Sequence, residues 1–338
     1  MTADSHHRAG GGFRNPWPGA QPHGLSGLLK WAVSRRPPAV APAQRTGSSS
    51  ESPTAAPRHR QSADFSASEA NALTITWIGH STFLIQCDGV NILTDPIWSR
   101  RASPVSFAGP ERAVPPGVPF ENLPEIHATL VSHDHYDHLD DPTVGMLIER
   151  FPRMHWLVPL GVCEFMRRRS AANVIELDWW DERRIGSIKA HCTPAQHFSG
   201  RFPWNRDSTL WCGWAISVNG SRVFFAGDTG LHTEFGRISM RYGPFDAAIL
   251  PIGAYEPRWF MRPVHMDPAE SVAAYQQLVS DAPERSCVMI ASHWGTFKLT
   301  DEPLSEPPLK AREAWASSGL NVGLLAILAH GESRIIAR

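Results

Sequence analysis

The five cysteines of this 338-residue chain, Cys87, Cys163, Cys192, Cys212 and Cys287, are odd in number, scattered, and form no C-x-x-C pair. A disulfide framework and a zinc ribbon are both excluded as expectations, and buried reduced thiols are the plainer reading. Long apolar runs are missing too. Nothing approaches the ~20 residues that cross a bilayer. The best N-terminal stretch, Gly27 to Val33, is interrupted by Lys30 and is too short for the core of a signal peptide. The chain therefore reads as cytoplasmic. It also lacks an excess of either charge: 32 Lys plus Arg stand against 33 Asp plus Glu. That balance gives no whole-molecule field toward nucleic acid, so no nucleic-acid partner is expected.

What remains is an ordinary globular composition, 42% hydrophobic and 19% charged, long enough for one large α/β sandwich. Residues 1–37 form an N-terminal segment. Within it, Leu25, Leu28, Leu29 and Val33 recur at helical spacing beside Trp17, Trp31, Lys30, Arg35 and Arg36. Such a short amphipathic helix suits peripheral contact with a membrane through residues 13–37, or packing against the fold. Residues 38–70 are rich in Pro, Ala, Ser, Gln and Arg, and read as a disordered linker. A catalytic domain is expected over 71–338.

Strand signals begin near Leu73. Leu73–Ile78, Thr82–Gln86 and Val90–Thr94 alternate or run apolar, and Asp88-Gly89 marks a hairpin. Further strands are expected at Ala128–Ser132, Ile185–Ala190, Leu210–Val218, Arg222–Ala226, Ala247–Leu250 and Cys287–Ala291. Helices are expected over Pro142–Arg150 and 268–280, the second with Asp267 as its N-cap and Pro268 at its first position. The order implies two sheets with helices outside.

The strongest signal is Ser132-His-Asp-His-Tyr-Asp-His-Leu139. His133, His135, Asp137 and His138 put four metal-type ligands within six residues, directly after a buried strand. Imidazole nitrogen and carboxylate oxygen suit zinc, and also iron or manganese. One ion cannot easily use all four side chains at this spacing; two ions about 3.5–4 Å apart can. His197, Asp228 and His293 each follow another strand candidate and complete a set of seven. His80 and Asp95 read as partners for the ligands rather than as ligands. Trp179 and Trp180 read as core or rim residues, and His330 as structural.

This ligand order resembles that of the metallo-β-lactamase superfamily, whose fold is an αββα sandwich of two mixed β-sheets with helices outside. Within it the chain resembles the N-acylphosphatidylethanolamine-hydrolysing phospholipase D family and its bacterial relatives. Asn15-Pro-Trp-Pro18, Thr76 to Thr82, Leu93-Thr-Asp-Pro96, Phe224 to Gly230, Gly243-Pro-Phe-Asp246, His330 to Arg334 and the long match Pro251 to Met261 carry that likeness. The resemblance implies two zinc ions per chain. His133, His135 and His197 would hold one, Asp137, His138 and His293 the other, and Asp228 would bridge them. It implies a phospholipid substrate, with Tyr136 and His265 at the head group and Asp137 and His265 in catalysis. A homodimer stays open. So do a lactonase or sugar-phosphate hydrolase on the same fold, and a non-catalytic metal- or lipid-binding protein.

Overall fold

The computed structural model describes residues 6–34, 72–283 and 285–337. The proposed linker lies outside the described residues, as do Arg35 and Arg36.

Two seven-stranded mixed sheets form the centre. The first runs in the order β14-β1-β2-β3-β4-β5-β6. It is built from β1 (Ala72–Gly79), β2 (Thr82–Cys87), β3 (Val90–Thr94), β4 (Ala128–Leu130), β5 (His155–Pro159), β6 (Val174–Leu177) and β14 (Ser333–Ala337). The second runs β13-β12-β11-β10-β9-β8-β7. Its strands are β7 (Glu182–Ile185), β8 (Ile188–Thr193), β9 (Gly213–Val218), β10 (Ser221–Phe225), β11 (Ala247–Pro251), β12 (Val288–Ser292) and β13 (Leu325–Ala326).

The first sheet divides its side chains by parity, as a two-residue period requires. Phe83, Ile85, Ile92, Leu130 and Leu157 enter the main core between the sheets. Leu84, Leu93, Val131, Trp156 and Val158 enter a second core on the opposite face. That face is covered by Val144 and Leu147 of α2 (Asp141–Arg150) and Met166 of α3 (Cys163–Arg168). In the second sheet β10, β11 and β12 are parallel and apolar at consecutive positions, the mark of strands buried on both faces. Here α6 (Pro268–Val279) packs on β11, and α4 (Phe235–Tyr242) and α7 (Glu306–Ser317) pack on α6. Asp267 caps α6 in a reciprocal box with Glu270.

The hairpin between β2 and β3 turns at Asp88 and Gly89, both at positive φ, which is the two-residue turn that matches strand twist. Two strand expectations need correction. Ile185–Ala190 is not one strand: Gly186 and Ser187 turn the chain between β7 and β8. The strand expected from Leu210 begins at Gly213, because Leu210 and Cys212 donate their N–H groups to Leu160 and Ser132, just beyond β5 and β4, instead of to a neighbour in the second sheet. All five cysteines are free, four buried and Cys163 half-buried.

The N-terminal segment packs on the sandwich. Phe13, Trp17 and Ala20 belong to the main core, and Trp17 stacks on Trp179 and His232. It leads into α1 (Leu25–Ser34). Among the described residues, no helix is long and apolar enough to cross a membrane.

Candidate metal centre

The loops after strand ends build the site. β3, β4 and β5 are parallel, as are β10, β11 and β12, so their carboxyl ends gather along one edge of each sheet. His133, His135, Asp137 and His138 follow β4. His197 follows β8, Asp228 follows β10 and His293 follows β12. Close approach needs small residues: a Cβ on Gly227, at φ +61°, would sit 2.6 Å from the Ser132 Cβ. His293 itself takes φ +57°, a strained conformation for a residue with a side chain.

All seven sequence-predicted ligand positions come together. Asp228 is the hub. Its Oδ2 lies 3.1 Å from Nε2 of both His138 and His293, 3.8 Å from Nε2 of His197 and 3.9 Å from that of His133. His135 Nδ1 lies 2.8 Å from His133 Nε2 and 3.3 Å from His197 Nε2. Asp137 Oδ2 lies 3.5 Å from His138 Nε2 and 3.6 Å from His293 Nε2.

This arrangement does not satisfy itself. His138 Nε2, His293 Nε2 and Asp228 Oδ1 are buried without a hydrogen-bond partner. An unpaired buried polar atom is costly, and a cluster of imidazole nitrogens turned toward one another has too few acceptors. Metal ions would supply what is missing, and the donors form groups of three or four with ligand atoms within 4.8 Å of one another. The imidazole and carboxylate donors fit zinc chemistry.

Electrostatics divide the ligand histidines: three are kept neutral, while against the pull of burial the carboxylates favour positive charge on His138 and on His293, whose pKa they raise to about 9. Burial pushes the pKa of His133 well below its ordinary value, that of His135 down to about 4 and that of His197 down to about 3. These rings are kept neutral, with lone pairs to offer. Burial also opposes charge on His138, but Asp228, Asp137 and Asp95 together hold its pKa well above the usual value. Asp137 and Asp228 resist their own burial because the surrounding histidines hold both well below the carboxylate range.

The supporting residues are ordered by hydrogen bonds. His80 Nε2 lies 2.8 Å from Asp137 Oδ2. Asp95 lies 2.7 Å from His138 Nδ1, and Val264 offers its carbonyl to His197 Nδ1 at 2.9 Å. Arg201 clamps the ligand loop, donating to the carbonyls of Asp134 and Leu139 at 2.9 and 2.7 Å, with its guanidinium 4.0 Å from the Tyr136 ring centre. His330 is buried against Thr296 and Trp77, and the same Thr296 hydroxyl accepts the His80 N–H at 2.7 Å, so His330 stands behind His80 and outside the ligand set.

Above the cluster lies a cavity of about 840 Å³. Its floor includes His135, Asp137, Asp228, His265 and His293, and its walls include Leu28 and Trp31 of α1, Phe198, Phe260, Met261 and Leu299. His265 Nε2 lies 3.9 Å from Asp228 Oδ2, its Nδ1 is buried without a partner, and burial holds its pKa well below the usual value. Tyr136 is elsewhere. Its hydroxyl donates to the Arg201 carbonyl at 3.0 Å, and it lines a separate cavity of about 780 Å³ on the far side of the ligand loop. The head-group contact expected of Tyr136 does not follow from this arrangement. Arg201 and the Val264 carbonyl had no signal in sequence. Asn15 had one, its place in the Asn15-Pro-Trp-Pro18 motif, but no assigned role.

Residues 90–294 match the model of the beta-lactamase superfamily domain. The chain belongs to this superfamily. An uncharacterized protein of Mycobacterium tuberculosis is 42% identical over 260 residues, 76% of this chain and 68% of that one. The N-acyl-phosphatidylethanolamine-hydrolyzing phospholipase D 1 of Caenorhabditis elegans is 40% identical over 268 residues, 76% of this chain and 73% of that one. Among solved structures, a metallo hydrolase from the archaeon Ignicoccus hospitalis overlays with a TM-score of 0.57 at 22% identity, over 78% of this chain and 98% of that one. At that identity the likeness shows the superfamily fold alone.

Proposed function

We propose that this chain is a two-metal hydrolase, resting with zinc, that cleaves N-acylphosphatidylethanolamine to N-acylethanolamine and phosphatidic acid. The observation that carries the reading is one cavity whose floor is the imidazole–carboxylate cluster and whose walls are largely apolar. A hydrolase of small polar molecules would have little use for walls of Leu28, Trp31, Phe260 and Leu299. The Caenorhabditis elegans relative, named for hydrolysis of this lipid, supports the substrate class.

His133, His135 and His197 would hold one ion, Asp137, His138 and His293 the other, with Asp228 reaching both. When bound, the ions would supply Lewis acidity toward a phosphoryl oxygen and lower the pKa of water toward ~7. The chain's own residues orient the reaction. A water oxygen bonds to phosphorus, the bond from phosphorus to the ethanolamide oxygen breaks, and that oxygen takes up, by way of Asp137, the proton that the water gives up. In this reading Asp137, steadied by His80, accepts the proton that the water gives up. His265 is neutral under burial, and its N–H stabilises the phosphoryl or leaving oxygen. The acyl chains lie along the apolar walls, and α1 borders their entrance.

The test is metal analysis joined to lipid mass spectrometry on purified protein. Close to two metal ions per chain and release of N-acylethanolamine are expected, and His133→Ala or His293→Ala should lower metal content and nearly abolish turnover. Full turnover by rigorously metal-free protein would refute the metal reading. Turnover of lactones or sugar phosphates with none of the lipid would refute the substrate.

A further inference from the structure

We propose that Asn15 is a positioning residue for His197, which makes the N-terminal strap of residues 6–24 a working part of the metal centre. The inference rests on the two-metal reading above.

Asn15 is 2% exposed, and both N–H groups and the oxygen of its side-chain amide are hydrogen-bonded. Nδ2 donates to the carbonyls of Ala20 at 2.7 Å and His197 at 2.8 Å, and Oδ1 accepts the His197 N–H at 3.2 Å. One side chain thus grips both backbone polar groups of a residue 182 positions away. The grip matters because His197 lies beyond the end of β8, where no strand ladder holds it. Its ring is fixed separately through Nδ1 on the Val264 carbonyl, which leaves Nε2 facing His135 and Asp228. With the backbone pinned by Asn15 and the ring by Val264, His197 has one way to present its lone pair.

The chemistry demands asparagine. At this length, no other side chain offers two N–H donors beside an acceptor. Aspartate has the same shape but would turn a carboxylate oxygen toward two carbonyl oxygens. Alanine would leave one N–H and two carbonyls buried without these bonds.

The strap has other anchors, so its docking does not depend on Asn15. His6 and His7 bond Asp178 at 2.7 and 2.8 Å, Arg8 bonds Asp207 at 2.8 Å, and the Phe13 N–H donates to the Asp207 carbonyl at 2.8 Å. Asn15 alone among these residues bonds a predicted ligand. The loss of such an outer contact typically costs about 10–100-fold in metal affinity or activity.

The test uses the full chain with Asn15→Asp, Asn15→Ala and, as a control that loosens the strap elsewhere, His7→Ala. Zn²⁺ affinity is measured by competition with a chelator, coordination by the visible absorption of the Co²⁺-loaded protein, and folding by metal-free melting. Both Asn15 variants should lose about 10–100-fold in affinity for one of the two ions and change the Co²⁺ spectrum. His7→Ala should lower the melting temperature and leave the affinity and Co²⁺ spectrum of the two central ions unchanged, and any loss confined to a further weak ion belongs to the His6, His7 and Asp178 group. Wild-type affinity and spectrum in Asn15→Asp would overturn the proposal, as would the same metal defect in His7→Ala. Asn15→Asp preserves volume, so it carries the comparison should Asn15→Ala fail to fold. A wild-type chain that takes up neither ion overturns the two-metal reading itself, and its own titration distinguishes that case.

Discussion

The Asp95 carboxylate meets Nδ1 of His138 at 2.7 Å while the same carboxylate accepts the N–H and the hydroxyl of Ser132 at 2.7 and 2.6 Å. A carboxylate that accepts from Ser132 on both oxygens cannot turn away, so it holds a proton of His138 on Nδ1 and leaves Nε2, whose own proton the Asp228 and Asp137 carboxylates favour here, as the nitrogen that a metal ion would take over. Asp95→Asn keeps the shape but can present an amide N–H to Nδ1, which would move the ring proton to Nε2. Metal affinity should fall about 10–100-fold with the fold intact. Competition titration checks this, and unchanged affinity would show that the tautomer is set by something else.

His265 sits on the cavity floor without a partner for Nδ1. If it serves the reacting oxygens, His265→Ala leaves both ions in place and lowers kcat by about 10²-fold. The alternative is written into the same geometry: His197, Asp228 and His265 also form a group able to hold an ion. Loss of metal together with activity in His265→Ala would make it a ligand. Metal content and kcat measured on one preparation separate the two.

Much of this site was legible because the His133–His138 cluster, Asp228 and His293 stand just beyond buried apolar runs, and strand ends are where parallel sheets collect side chains; His197, four residues past the mixed strand β8, has the weakest such signal. The alternation of β1 and β2 and the Asp88-Gly89 turn were legible for equally local reasons. What stayed hidden depends on distant partners. The grip of Asn15 on His197 joins residues 182 apart, and nothing near either one announces it. Tyr136 was assigned to the head group, yet the ligand loop turns His135 and Asp137 into one cavity and Tyr136 into another. The turn at Gly186-Ser187 was hidden by apolar Ile185 and Ile188 on either side, which together mimic one strand.

His232 offers a pH test away from the ligands. It lies between Trp17 and Phe235, its Nε2 is buried without a partner, and burial alone pushes its pKa down to about 3 from a usual 6.5. The folded chain therefore refuses a proton that the unfolded chain accepts below 6.5. Stability from this residue is complete above that value and declines as pH falls toward 3. At about 1.36 kcal/mol per pH unit, wild type should lose roughly 2 kcal/mol between pH 7 and pH 5 through His232. His232→Phe should remove that share of the acid sensitivity. Denaturant melts at both pH values check it, and parallel losses in the two proteins would refute it.

If the substrate is met in a membrane, the lip of the cavity is where the contact would form. In α1, Leu28 is 46% exposed, Leu29 59% and Val33 88%, while Trp31 turns inward to bond Asp301 and to lie near Phe260. Lys30 stands 4.8 Å from the ring of Trp259, itself 41% exposed. The helix thus has an inner side that walls the cavity and an outer apolar edge beside a cation, the pattern of a helix that lies in a lipid interface. Deleting the N-terminal segment would be a poor test, because it removes Asn15 with the helix. Leu29→Glu with Val33→Glu alters the outer edge alone. Burial of one such side chain is worth about 1.5–3 kcal/mol, so even partial insertion of two predicts vesicle binding weaker by about tenfold or more. Turnover of N-acylphosphatidylethanolamine in vesicles should fall accordingly, and turnover of a short-chain soluble diester should not. Equal sedimentation with vesicles and equal vesicle activity in the double variant would mean that α1 is only a wall.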